Sequence, residues 1–139
     1  MAKPLTEYPV KVLLAFGEAI SGNRDLLKWL LKNQYPELAA LACSINASVP
    51  AFDWLMNNNY PELAAFSNAI DDDKKAYKWL INNNYNLLAI FADACHREEK
   101  AIVFLNANDL KIIVFLAKKI YEVKVQQYRD YDDYHKIHF

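Results

Sequence analysis

One spacing governs this chain. Trp29, Trp54 and Trp79 stand 25 residues apart, and Phe104 continues the series. Leu30, Leu55, Leu80 and Leu105 keep the same step, as do Asn33, Asn58, Asn83 and Asn108. So do Ile20, Ile45, Ile70, Cys95 and Ile120, and Leu38, Leu63, Leu88 and Ile113. Tyr35, Tyr60 and Tyr85 follow, with Leu110 as fourth member. Laying residues 38–62 over 63–87 without a gap gives 11 identities in 25. A fixed period of this length marks a repeat architecture, in which a unit too small to bury its own apolar face stacks on its neighbours.

Each unit reads as two short helices. Asn59-Tyr60-Pro61-Glu62 has the spacing of a capping box, with Asn59 as cap and Glu62 at its third helical position. Pro61 falls in the first turn, where a missing N–H does no harm. Leu63, Phe66 and Ile70 then lie on one helical face. Asp71-Asp72-Asp73 interrupts the pattern as a turn, with Asp73 placed to cap a second helix over 74–82. That helix has little polar surface, which predicts a place inside the stack. Asn83 would end it in the left-handed conformation that asparagine tolerates. The same logic predicts helices near 9–21, 24–32, 36–46, 49–57, 61–71, 73–82, 86–96, 98–107 and 109–127.

The fold class expected is all-α: an α-solenoid, or α–α superhelix, of about four and a half 25-residue helical hairpins. It would form one domain over 1–139, with repeats at about 13–37, 38–62, 63–87 and 88–112, and a capping helix and Tyr-rich tail over 113–139. With helices roughly 8–10 Å apart, the stack would be a curved slab roughly 40–45 Å long. The tryptophan ladder is expected to pack between repeats. Tyr35, Tyr60 and Tyr85 sit at the corner between helices, where a ring can staple the following helix and keep its hydroxyl wet.

The second and third copies resemble the helical part of an ankyrin repeat. Leu63-Ala64-Ala65 matches its first helix and Leu80-Ile81 the double apolar pair of its second. The resemblance spans residues 13 to about 117. The Thr-Pro-Leu-His start and the β-hairpin finger are absent, and the period is accordingly 25. The resemblance implies a protein-interaction role.

Composition narrows the function classes. Hydrophobic residues make up 54% of the chain and charged ones 24%, which excludes disorder. Sixteen basic residues oppose seventeen acidic ones, leaving no basic surplus for a DNA backbone. The two glycines form no phosphate loop. No apolar run reaches the 18 or so residues that cross a bilayer, and the N-terminus has no signal-peptide pattern. Cys43 and Cys95 follow no ligand spacing and fit a reducing, cytoplasmic setting. No catalytic, cofactor-binding or metal-ligating residue is assigned. His96 falls in a turn and reads as a solvated or capping group. His135 and His138, with Asp132 or Asp133, offer a metal-binding or hydrolytic alternative. A single-stranded RNA binder stacking bases on the tryptophans is a second alternative, disfavoured because Lys28, Asp53, Lys78 and Val103 beside them make no basic stripe. The function expected is a non-enzymatic scaffold that binds another protein or its own copy. Its candidate interaction residues are Tyr35, Tyr60, Tyr85, Tyr121, Tyr128, Tyr131 and Tyr134.

Overall fold

A computed structural model describes the backbone of residues 3–138 and the side chains of residues 3–132. Among these there are nine α-helices: α1 (Val10–Ile20), α2 (Arg24–Lys32), α3 (Pro36–Ile45), α4 (Val49–Asn57), α5 (Pro61–Ile70), α6 (Lys74–Asn82), α7 (Asn86–Cys95), α8 (Glu99–Ala107) and α9 (Lys111–His138). A 3-10 turn, Leu5–Glu7, precedes them and was not anticipated. The first eight helices match the expected bounds closely. The last extends well beyond residue 127, because Tyr128 to His138 contains neither glycine nor proline to stop it.

The connectors repeat as faithfully as the core. Each holds one left-handed residue: Gly22, Ala47, Asp72 and Arg97 within the hairpins, and Gln34, Asn59, Asn84 and Asp109 between them. Around each, an amide reaches back five residues to close the helix end. Tyr35 N donates to Leu30 O at 2.8 Å, Tyr60 N to Leu55 O at 2.9 Å, Tyr85 N to Leu80 O at 2.8 Å and Leu110 N to Leu105 O at 2.9 Å. The expected asparagine roles shift by one position. Asn83, expected to be left-handed, is right-handed like Asn58, and their side-chain amides donate back to Trp79 O and Trp54 O at 2.8 Å each, while Asn84 takes the left-handed place. Asn59 takes the left-handed place rather than capping, and Tyr60 becomes the N-cap residue without a side-chain cap bond. Asp73 does cap α6, accepting from Lys75 N and Ala76 N.

The two layers are the reverse of the expected order. The odd helices are inside and the even ones outside. Phe16, Leu41, Phe66, Phe91 and Leu116, one from each odd helix at the 25-residue step, are all fully buried. Phe66 and Phe91 meet at 4.5 Å between ring centroids. Ile20, Ile45, Ile70, Cys95 and Ile120 form the next layer. Each outer helix contributes one fully buried leucine, Leu30, Leu55, Leu80 or Leu105. The ladder aromatics pack only partly: Trp29 and Trp54 are half-buried against the core, Trp79 is 36% exposed and Phe104 45%.

The stack is also not an open slab. Each odd helix packs on the next, and α9 returns to pack on α1, so the five inner helices close into a ring. The even helices pack on the odd helices that flank them, and no two of them pack together as the inner ones do. Small residues explain the curvature. Gly17, Ala42, Ser67, Ala92 and Ala117 share one repeat position, where the inner helices can approach closely. At the closing seam a Cβ on Gly17 would lie 3.1 Å from both Leu116 and Phe115. Lys119 pairs with Glu18 across the same seam at 3.5 Å.

Ala47 holds a left-handed conformation (φ 71°) that glycine adopts freely. Ala47→Gly is expected to raise stability by about 0.5–1 kcal/mol in urea unfolding. Ala65→Gly inside α5 should lower it by about 1 kcal/mol.

Candidate functional site

Because consecutive helices alternate in direction, the odd helices run parallel and their N-termini share one end of the ring. Three polar side chains are buried there. Glu37 and Glu62 occupy the second position of α3 and α5, a repeat position filled elsewhere by Val12, Leu87 and Ile112. Carboxylates in a first helical turn are favoured by the exposed amides and the helix dipole. Tyr8 follows the 3-10 turn and packs over this end, its ring 6.0 Å from that of Tyr35. Glu62 is only 3% exposed and Tyr8 5%. One oxygen of each glutamate and the Tyr8 hydroxyl have no hydrogen-bond partner, although the Tyr8 hydroxyl lies close enough to Glu37 to feel its charge. Burial and then the Glu37 carboxylate push the Tyr8 phenol far above its ordinary range. Burial, with Glu37 and Glu62, also raises Tyr60; burial and Glu62 raise Tyr85. A cavity of about 430 Å³ opens beside Glu62, walled mainly by Leu5, Tyr8, Leu63, Tyr85 and Leu87.

The opposite end collects helix C-termini and therefore carbonyl oxygens. In two copies a side-chain donor links the repeat to the one before it. Asn46 Nδ2 donates to Ile20 O at 3.0 Å, and His96 Nε2 lies 2.8 Å from Ile70 O as its donor. His96 is thus a capping group, as expected, with Asp72 3.4 Å away. The matching residue in the intervening copy is Asp71, which has no proton to give Ile45 O. The buried Lys124 Nζ of α9 donates to that carbonyl at 2.9 Å, and Gln127 Nε2 does so at 2.9 Å. Lys124 also pairs with Asp71 at 2.9 Å.

The ladder tyrosines are brought together with the tryptophans rather than with one another. Tyr35 stacks on Trp29, Tyr60 on Trp54 and Tyr85 on Trp79, with ring centroids at 6.5, 5.8 and 5.8 Å and planes within 14° of parallel. One aromatic pair thus staples each connector between hairpins. Tyr121 lies under the Arg97 guanidinium at 5.6 Å. Tyr128 and Tyr131 are exposed on α9. Tyr134, His135 and His138 fall outside the described side chains, as does Asp133. Among the described residues no group of three or more His, Cys, Asp or Glu is placed to hold a metal. No described helix is long and apolar enough to cross a membrane. Cys95 is buried, and burial raises its thiol; Cys43 is half-buried and raised for the same reason.

The sequence did not single out Tyr8 or Glu37, and it assigned Glu62 to a capping box. The available signal was a carboxylate at two copies of a position that is apolar in the other three. The chain matches no known family, no curated protein and no solved structure.

Two outcomes follow from these geometries. Lys124→Met is expected to lower stability by about 2 kcal/mol, given that Asp71 is half exposed. Adding Asp71→Asn should recover about half of this in chemical denaturation, because an amide there can donate to Ile45 O as Asn46 does to Ile20 O. The second outcome concerns Tyr77, whose hydroxyl donates to Asp93 Oδ2 at 2.8 Å. Burial first, then this bond, pushes its pKa up to about 12. The folded state therefore holds the proton more tightly than the unfolded chain, and the stabilisation is complete below pH 10 and lost between about pH 10 and 12. Urea unfolding across that window should fall less steeply for Tyr77→Phe than for the parent.

Proposed function

We propose that this chain is a non-enzymatic, cytoplasmic α-solenoid whose outer helices bind another protein. The unit keeps the helix–turn–helix of an ankyrin-like repeat. One observation carries the proposal: the outer layer presents an unpartnered apolar stripe in register with the repeat. Leu31, Met56 and Ile81 are exposed at the 25-residue step, flanked by the open faces of Trp79 and Phe104. Large apolar side chains left exposed at one repeat position on successive outer helices mark a surface that a partner can cover. Aromatic and methionine side chains are the types enriched in such interfaces. The exposed Tyr128 and Tyr131 extend the candidate surface along α9. The ladder tyrosines contribute less, since Tyr35, Tyr60 and Tyr85 each have one face covered by a tryptophan.

The triple variant Leu31→Glu/Met56→Glu/Ile81→Glu separates binding from folding, because exposed substitutions shift stability by no more than about 0.5 kcal/mol each. It is expected to melt close to the parent and to lose the proteins that the parent captures, or the self-association that the parent shows in sedimentation. Retention of the same partners and the same mass by the triple variant would overturn the proposal.

A further inference from the structure

The cavity at the N-terminal end of the ring has a chemistry that the outer stripe lacks. Its walls are mainly apolar and aromatic, from Leu63, Leu87, Leu88, Tyr8 and Tyr85; Asn84 and Asn86 line it from exposed positions, and its buried charged group is the Glu62 carboxylate. That carboxylate is 3% exposed with one oxygen, Oε1, unpartnered, although the Tyr85 hydroxyl lies close to the group. Buried charges are ordinarily paired, because an isolated ion loses its hydration without compensation. The α3 and α5 N-termini offset about half a charge for each of Glu37 and Glu62, which leaves roughly one negative charge over. The one cation in the lining, Lys3, is exposed, with its Nζ over the Tyr8 ring at 5.3 Å. A volume of about 430 Å³ falls within the range of small-molecule sites.

We propose that this cavity binds an organic ammonium ion on an apolar stem, with the charged head on the free oxygen of Glu62 and the stem against the leucines. The Tyr8 and Tyr85 rings flank the head, where an aromatic face attracts a cation. An anion is disfavoured by the two carboxylates, and a neutral apolar molecule leaves Glu62 unpaired. The site is distinct from the outer stripe, so each proposal stands or falls without the other.

The test uses the full chain and isothermal titration calorimetry with hexylammonium, hexanol and hexanoate at matched ionic strength. A hydrogen bond to a buried charge is worth about tenfold or more in affinity. Hexylammonium is therefore expected to bind at least about tenfold more tightly than hexanol, with hexanoate weakest. Glu62→Gln, checked for fold by circular dichroism, should bring hexylammonium and hexanol within about twofold of each other. Leu87→Phe keeps the carboxylate and narrows the cavity, and should weaken all three. Comparing butylammonium with a doubly blocked lysine distinguishes a free amine from a lysine side chain as the source; tighter binding of either supports the site. Three results would overturn the proposal: no binding of hexylammonium at low millimolar concentration, hexanol binding equally well, or an unchanged preference in Glu62→Gln. Binding that emerges only after Lys3→Gln would also overturn it, since the site would then belong to the chain's own lysine.

Discussion

The closed form of this molecule depends on how one backbone carbonyl is satisfied. Each inner helix ends with carbonyl groups that have no partner within the helix. In two copies a side chain from the following repeat supplies a donor: Asn46 to Ile20 O and His96 to Ile70 O. In the copy between them that residue is Asp71, a carboxylate that can only accept. Lys124 and Gln127 reach Ile45 O from a helix some 80 positions later, and Lys124 neutralises Asp71 at the same time. The irregular copy is therefore the one to which the last helix is fastened. Its lysine also sits where the negative ends of parallel inner helices gather, a favourable place for a cation.

The two ends of the ring are electrostatic opposites for the same reason. Parallel inner helices send their amide ends one way and their carbonyl ends the other. Carboxylates, Glu37 and Glu62, are buried at the first end, and an ammonium group, Lys124, at the second. Buried charge follows the backbone dipoles rather than the overall composition, which is nearly neutral at a formal charge of −1. Among the described residues, no buried side-chain polar atom at the second end lacks a partner. The first retains one free oxygen on each of its glutamates. That asymmetry separates an end closed for stability from one with unused binding capacity.

Much of the local structure was legible in the residues. Prolines, asparagines and Asp73 marked the helix limits, and leucines and isoleucines at the 25-residue step marked buried faces. The departures have specific causes. Asn59 takes the left-handed place instead of capping because a helix closed by a left-handed residue places that residue one step after its end, which hands the N-cap to Tyr60. The tryptophans were expected to pack between repeats. Each instead lies six residues before a tyrosine, and the connector folds one ring onto the other. Both ladders were visible; their pairing required the turn geometry. Tyr8 was hidden because it belongs to no repeat and reaches its neighbours only through the 3-10 turn.

What the sequence determined by itself is the local content of one unit: the period, the two helices, the places of the turns, and the leucine and isoleucine positions that are buried. These follow from side-chain periodicity and backbone preference over stretches of ten residues or fewer, so an open stack and a closed one would carry the same pattern. Only the tertiary structure decided which helix layer lies inside and that the first and last helices meet. Curvature is the sum of small rotations at each interface, set by how closely Gly17, Ala42, Ser67, Ala92 and Ala117 let the inner helices approach. A sum of that kind is not written at any one position. It emerges when all the interfaces form together and bring Lys124 to Ile45, Phe115 to Gly17 and Tyr8 to the glutamates.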